Sequence, residues 1–188
     1  MTDVPIRLAV IIGSVRAERT APRVADWLLA RLKCHADLDI DLLDLAGLDL
    51  PAAMDGTGDA RVFADRIRQA DAYLVLTPEY NHAYPGPLKT AIDSANQEWW
   101  AKPVAFVCYG GTSGGLRAVE QLRLVLAELH AVTLRHTVSF PNVWERFDAE
   151  GGLRDAARAE EQLDTLLAGL RWWSAALRTA RAAAPYPG

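Results

Sequence analysis

Three segments of this chain gather glycine, proline, hydroxyl and guanidinium groups beyond what packing requires, and each follows a run of apolar residues. The first reads Gly13-Ser14-Val15-Arg16-Ala17-Glu18-Arg19-Thr20. With a helix starting just beyond it, free backbone N–H groups, the hydroxyls of Ser14 and Thr20 and the guanidinium of Arg16 make a site for one phosphate. Neither G-x-G-x-x-G nor G-x-x-x-x-G-K-[ST] is present, which argues against a dinucleotide pyrophosphate loop and a Walker-type NTPase. The second segment runs Thr77-Pro78-Glu79-Tyr80-Asn81-His82-Ala83-Tyr84-Pro85-Gly86-Pro87. Its prolines stiffen it, and its backbone amides and carbonyls suit the edge of a planar heterocycle. Tyr80 and Tyr84 are expected to pack against a ligand or a second subunit. The third reads Tyr109-Gly110-Gly111-Thr112-Ser113-Gly114-Gly115. It allows backbone to approach a flat ring, and the positive end of the following helix would stabilise an anionic one. Each segment also has a plainer reading: a polar capping turn, a rigid connection with aromatic plugs, and a tight strand-to-helix turn.

A competing chemistry lies in the third segment, because Gly111-Thr112-Ser113-Gly114-Gly115 satisfies G-x-S-x-G between a strand and a helix, as a hydrolase nucleophile requires. Its partners are missing. Such a triad continues with an acid and then a histidine, yet no histidine follows His136, and only Glu120, Glu128 and His130 stand between. Of the histidines His35, His82, His130 and His136, only His82 falls in a candidate loop, and an ordinary surface or core role is the simpler reading for it.

These segments must be held by regular elements, and five apolar runs of strand length alternate with helical spacing, the pattern of repeated βαβ units. The strands are expected at Leu8 to Ile12, Ile40 to Leu45, Tyr73 to Leu76, Pro103 to Val107 and Val132 to Val138. Helices are expected at Pro22 to Leu32, at Asp59 to Gln69 with Val62, Phe63 and Ile67 inward, from near Pro87, at Leu116 to Leu129 and at Ala156 to Ala182. Continuously apolar strands imply a parallel sheet covered on both faces. Ligands of such sheets bind beyond the carboxyl ends of the strands, where all three loops would sit. The tail Ala184 to Gly188 is expected to fray.

At 188 residues and 51% hydrophobic, the chain suits a single domain with one well-buried core. With 20 Lys+Arg against 24 Asp+Glu, net charge −4, nothing favours nucleic acid. No run is long enough for a membrane span, and Cys34 and Cys108 lack disulfide-framework or metal-ligand spacing. A reducing, cytoplasmic setting without a metal site is expected.

On Gly13-Ser14-Val15-Arg16, on Pro78-Glu79-Tyr80-Asn81 followed by Pro85-Gly86-Pro87-Leu88-Lys89 and Ile92-Asp93, and on Gly110-Gly111 to Gly114-Gly115, the chain resembles the NADPH-dependent FMN reductase family. The resemblance covers roughly Arg7 to Asp148. It implies a flavodoxin-like α/β three-layer sandwich, a five-stranded parallel sheet in order 2-1-3-4-5 with helices on both faces, and non-covalent FMN. Ser14 and Arg16, with Thr20 as a further candidate, would hold the phosphate. Pro78, Glu79, Tyr80 and Asn81 would lie against the isoalloxazine and ribityl portion, and Gly110, Gly111, Thr112, Ser113 and Gly114 at the other ring edge.

The activity implied is hydride transfer from NADPH or NADH to FMN, then reduction of a quinone, azo compound, free flavin or metal oxyanion by a ping-pong route, with no obligatory protein acid or base. A homodimer or homotetramer is also implied, with Trp99, Trp100 and Trp144 as interface candidates and core packing as the equal reading of each. The rival is a flavodoxin-like electron carrier, for which a concentrated acidic surface would be expected; here the basic residues are spread through the chain.

Overall fold

The computed structural model describes residues 4–188. Five strands, β1 (Ile6–Ile12), β2 (Leu38–Asp44), β3 (Ala72–Pro78), β4 (Pro103–Tyr109) and β5 (Val132–Phe140), form one sheet in the order β2-β1-β3-β4-β5. Every pairing is parallel, and the order is the one the resemblance implies. Between the strands run α1 (Ala21–Leu32), α2 (Ala60–Gln69), α3 (Gly86–Asp93) and α4 (Leu116–Glu128), and α5 (Ala156–Ala183) closes the chain.

Successive side chains of a strand point to opposite faces, and the central strands are apolar on both. Leu8, Val10 and Ile12 of β1 join Leu74 and Leu76 of β3 in a layer under α1 and α5. Ala9, Ile11, Tyr73 and Val75 join Phe106 in a second layer under α2, α3 and α4. Each large aliphatic side chain so buried contributes roughly 1.5–3 kcal/mol, so the sheet interior is committed to packing and chemistry is left to the strand ends.

Most element boundaries shift by a residue or two from those expected. β2 stops at Asp44 because its carboxylate accepts a hydrogen bond from Ala46 N (3.1 Å), which turns Leu45–Gly47 into a 3₁₀ turn. Within α2, Phe63 and Ile67 are buried as expected, but Val62 is 53% exposed. Phe63 and Ile67 lie one turn apart on the face toward the sheet, and Val62 is rotated off that stripe. In the tail, Tyr186 Oη lies 3.1 Å from His130 Nδ1, and its ring meets Trp100 edge-on.

At the other end of the sheet from the candidate loops, Lys102 is buried and donates from Nζ to the Ile67 and Arg68 carbonyls at 2.9 and 2.8 Å. These carbonyls end α2, where a cation complements the helix dipole. Burial, reinforced by Arg181, nevertheless pushes the Lys102 ammonium down to about 8. An unfolded lysine titrates near ~10.4, so between the two values the unfolded chain carries a proton that the folded one has released, and stability rises with pH through that window. Urea midpoints measured from pH 7.5 to 10.5 are expected to move in favour of the wild type relative to Lys102→Met, by on the order of 2 kcal/mol. Parallel pH profiles for the two proteins would refute this.

Candidate functional site

The strand order sends the loops after β1 and β3 apart from neighbouring strands, and the crevice between them is where open α/β sheets bind ligands. Gly13 N donates to Leu76 O (2.8 Å), carrying the β1–β3 pairing to the rim. Ser14 comes next and is fully buried, its Oγ 2.8 Å from Tyr80 Oη. Across the exposed face of the same tyrosine lies Arg16, with its guanidinium carbon 3.9 Å from the ring centroid. Tyr80 therefore joins the first and second loops. Thr20 sits just before α1, but its hydroxyl caps no helix amide.

Arg19 was not among the expected site residues. Its Nη1 donates to the Ser14 carbonyl at 2.6 Å and to Asp44 Oδ1 at 2.5 Å, and its Nη2 to Asp44 Oδ2 at 2.6 Å. The hydrogen bond to Asp44 holds the guanidinium above its ordinary pKa against the opposing effect of burial. For Asp44, burial pushes the carboxyl up, but the bonds from Arg19 and Ala46 N outweigh it and hold the group below the ordinary carboxylate range.

The second loop is a two-residue hairpin. Tyr80 N donates to Ala83 O (2.8 Å) and Ala83 N to Tyr80 O (3.1 Å), with Asn81 and His82 at φ +49° and +75°. Positive φ at both central residues is the primed turn that matches strand twist, and asparagine adopts it readily. Gln121 Nε2 anchors the His82 carbonyl at 2.8 Å, so the backbone of His82 has a defined structural role. Pro78 ends β3 against Tyr109, and Glu79 N continues that ladder to Tyr109 O at 3.0 Å. Tyr84 is half-buried, with part of its side chain packed against the core beneath α2, α3 and α4.

Glu79 also changes the expected electrostatics of α4. Its Oε2 accepts from Arg117 N in the first turn (3.1 Å), and its carboxylate lies 3.6 Å from Arg117 Nη1. The positive end of α4 is thus already met by a protein carboxylate.

In the third loop the glycines divide. A Cβ on Gly115, at φ +89°, would meet Cys108 Cβ and Tyr109 N at 2.7 Å, and one on Gly114 would meet Ser139 Oγ at 2.3 Å. Both serve the tight turn against β4 and β5. A Cβ on Gly111 would have only Trp144 Cη2 near, at 3.7 Å, whereas one on Gly110 would crowd Gly115 N at 3.2 Å and meet Glu79 Cβ at 3.4 Å. Thr112 is exposed and Ser113 half-buried, its carbonyl accepting from Leu116 N (3.2 Å). Asn142 N to Gly111 O (2.9 Å) and Val143 N to Gly110 O (3.1 Å) fasten this loop to a 3₁₀ turn at Val143–Glu145. That turn holds Trp144, 65% exposed, beside Gly111.

Two readings fall here. Ser113 has no hydrogen bond to a histidine among the described residues; His130 is at the opposite sheet end beside Trp100, and His136 lines a groove with Arg123 and Arg135. Of the tryptophans, Trp99 is fully buried, with Nε1 donating to Ile92 O (3.1 Å), and so belongs to the core.

The site fits a flavin mononucleotide on its own chemistry. Tyr109 Oη is buried beside Ser14 and closes no hydrogen bond of good geometry, and burial together with Tyr80 holds it above the ordinary phenol range despite Ser14 and Arg19. A buried hydroxyl left so costs roughly 1–3 kcal/mol, which a ligand's polar group would recover. The exposed guanidinium of Arg16 on the Tyr80 ring and the uncrowded Gly111 supply further groups at the same rim.

The fold defines an open parallel α/β protein of the flavodoxin-like class. A solved apo structure of an NADH:FMN oxidoreductase superposes with a TM-score of 0.71 at 21% identity, covering 86% of this chain and 88% of that one. A probable NADPH:quinone oxidoreductase of Oryza sativa subsp. japonica is 36% identical over 86% of this chain and 89% of that protein. An NAD(P)H-dependent FMN reductase of Schizosaccharomyces pombe is 34% identical over 58% of this chain and 60% of that one. The family model for NADPH-dependent FMN reductase matches residues 6–145. The chain belongs to the NADPH-dependent FMN reductase family and is an FMN- and NAD(P)H-dependent oxidoreductase.

Arg19 and Tyr109 stood in the candidate loops without an assigned role, and Asp44 lay outside them. The signal that would have found Asp44 is the strand order: it ends β2 opposite Ile12, the last residue of β1, and so arrives at the same rim as the first loop.

Glycine substitutions separate turn from ligand contact. Gly115→Ala is expected to lower stability by about 2 kcal/mol or more, through positive φ and the clash with Cys108. Gly111→Ala meets only ordinary contact and should stay within about 0.5 kcal/mol. Thermal or urea unfolding of both variants checks the contrast, and equal losses would contradict it.

Proposed function

We propose that this chain holds FMN at the rim formed by the loops after β1, β3 and β4, and that it passes reducing equivalents from NAD(P)H to a quinone. The observation that carries the reading is Tyr80, which bonds Ser14 with its hydroxyl and carries Arg16 on its face, bringing phosphate-type and ring-type ligands of the protein to one place. Bound FMN would supply the two-electron chemistry between nicotinamide and acceptor. Arg16 and the hydroxyls of Ser14 and Thr20 would bind its phosphate. The backbone of Pro78, Glu79, Tyr80 and Asn81 would face the ring and ribityl chain from one side, and Gly110, Gly111, Thr112, Ser113 and Gly114 from the other.

Glu79 acts in this reading as a fastener of the second loop to α4, since its carboxylate is spent on Arg117. Trp144 offers an exposed indole next to the third loop, a flat apolar face suited to a planar acceptor. Donor and acceptor would take the same exposed position in turn, which is the basis of the ping-pong order. A quinone is favoured as acceptor by the name of the rice relative and by that indole. The chain is read as one flavin-binding domain, with residues 4–188 grouped around the sheet. Among the described residues no helix is long and apolar enough to cross a membrane, and the free Cys34 and Cys108 suit a reducing cytoplasm. Exposed Leu124, Trp172 and Trp173 support self-association as a dimer or tetramer.

Added FMN is expected to bind with a perturbed visible spectrum, to bleach on anaerobic addition of NADPH, and to recover on addition of a benzoquinone. Initial rates varied in both substrates should give parallel double-reciprocal lines. Arg16→Ala is expected to weaken FMN about tenfold or more, the worth of one charge-assisted hydrogen bond. Absence of flavin binding, or bleaching without recovery, would overturn the respective half of the reading.

A further inference from the structure

Arg19 and Arg16 belong to the same loop but are placed in opposite ways. Arg16 is exposed, with its guanidinium lying on a ring face. The side chain of Arg19 is 14% exposed and that of Asp44 34%, and the two carboxylate oxygens take both terminal nitrogens while Nη1 also reaches the Ser14 carbonyl. A fork-to-fork pair of this kind is geometrically demanding, and its net charge is zero. Asp44 is itself fixed, because it ends a strand paired along its length with β1 and accepts from Ala46 N. The Ser14 carbonyl is therefore tied to the sheet through Arg19. Since the peptide is planar and trans, fixing the direction of that carbonyl also fixes the Val15 N–H, which points the opposite way.

We propose that the Arg19–Asp44 pair is a positioning strut that sets the geometry of the phosphate loop and thereby selects FMN over unphosphorylated flavin, with Arg19 itself making no bond to the phosphate. The proposal rests on the FMN reading given above. A strut and a ligand predict opposite results. Were Arg19 a ligand restrained by Asp44, Asp44→Asn would free its charge and tighten FMN. As a strut it loses its anchor, and FMN binding weakens. Likewise a lysine at 19 retains a positive charge for a phosphate but cannot span Ser14 O and both Asp44 oxygens together.

The test is the dissociation constant of FMN and of riboflavin, from flavin fluorescence quenching, for wild type, Asp44→Asn and Arg19→Lys. Both variants are expected to weaken FMN about tenfold while riboflavin changes by less than about twofold, the latter also reporting an intact ring site. Hydrogen exchange of the Val15 and Arg16 amides in flavin-free protein is expected to quicken in both variants, with β3 and β4 unchanged. Tighter or unaltered FMN binding in Asp44→Asn would overturn the strut, as would retention of FMN affinity in Arg19→Lys. An equal loss of both flavins would overturn the phosphate-specific role. A wild type that binds neither flavin removes the functional reading itself, and the exchange data then show separately whether the pair orders the loop.

Discussion

A parallel sheet covered on both faces can do chemistry only where its strands end, and the rest of this molecule follows from that constraint. The side chains of β3 and β4 are buried from end to end, so a polar group placed along them would need a partner within the core. Polar side chains gather instead beyond Ile12, Asp44, Pro78 and Tyr109. The rim is also where the backbone runs out of ladder partners, and the loops satisfy their own groups by the hairpin at Asn81–His82 and by the Asn142 and Val143 amides donating to the Gly111 and Gly110 carbonyls respectively. Those arrangements leave the loops defined in shape.

Charge at the rim is largely spent within the protein. Arg19 is neutralised by Asp44, and Glu79 by Arg117 and the start of α4. Arg16 differs in lying on an aromatic face in contact with solvent, and the cost of bringing it to an anion is correspondingly low. Membership of the FMN reductase family accords with this distribution: one accessible cation suits a single phosphate, and a small number of fixed polar groups suits a cofactor whose own ring performs the redox step.

Much of the fold was legible in the chain because its evidence is local. Continuous apolar runs such as Leu8 to Ile12 and the helical stripe of Val24, Leu28 and Leu32 are properties of neighbouring residues, and burial of those side chains bears them out. An error arose where neighbours mislead: Val62 is as apolar as Phe63 but sits off the buried stripe, and between the two readings open for Trp99 its full burial selects the core. At the site, residue types and loop order were readable for Ser14, Arg16 and Tyr80, whereas their mutual contact was not.

The sequence by itself determined the class of the molecule, the order of its elements, the three loops that gather at one rim and the kind of ligand their chemistry suits, since composition and spacing record these directly. Only the tertiary structure decided how the polar groups are divided among tasks. It assigned Glu79 to α4, Gly114 and Gly115 to a turn, Tyr80 to two loops at once, and Arg19 to a carboxylate 25 residues away in sequence. The physical reason is that hydrogen bonds and ion pairs act over about 3 Å in space, and which groups come that close is set by how the strands are ordered and packed.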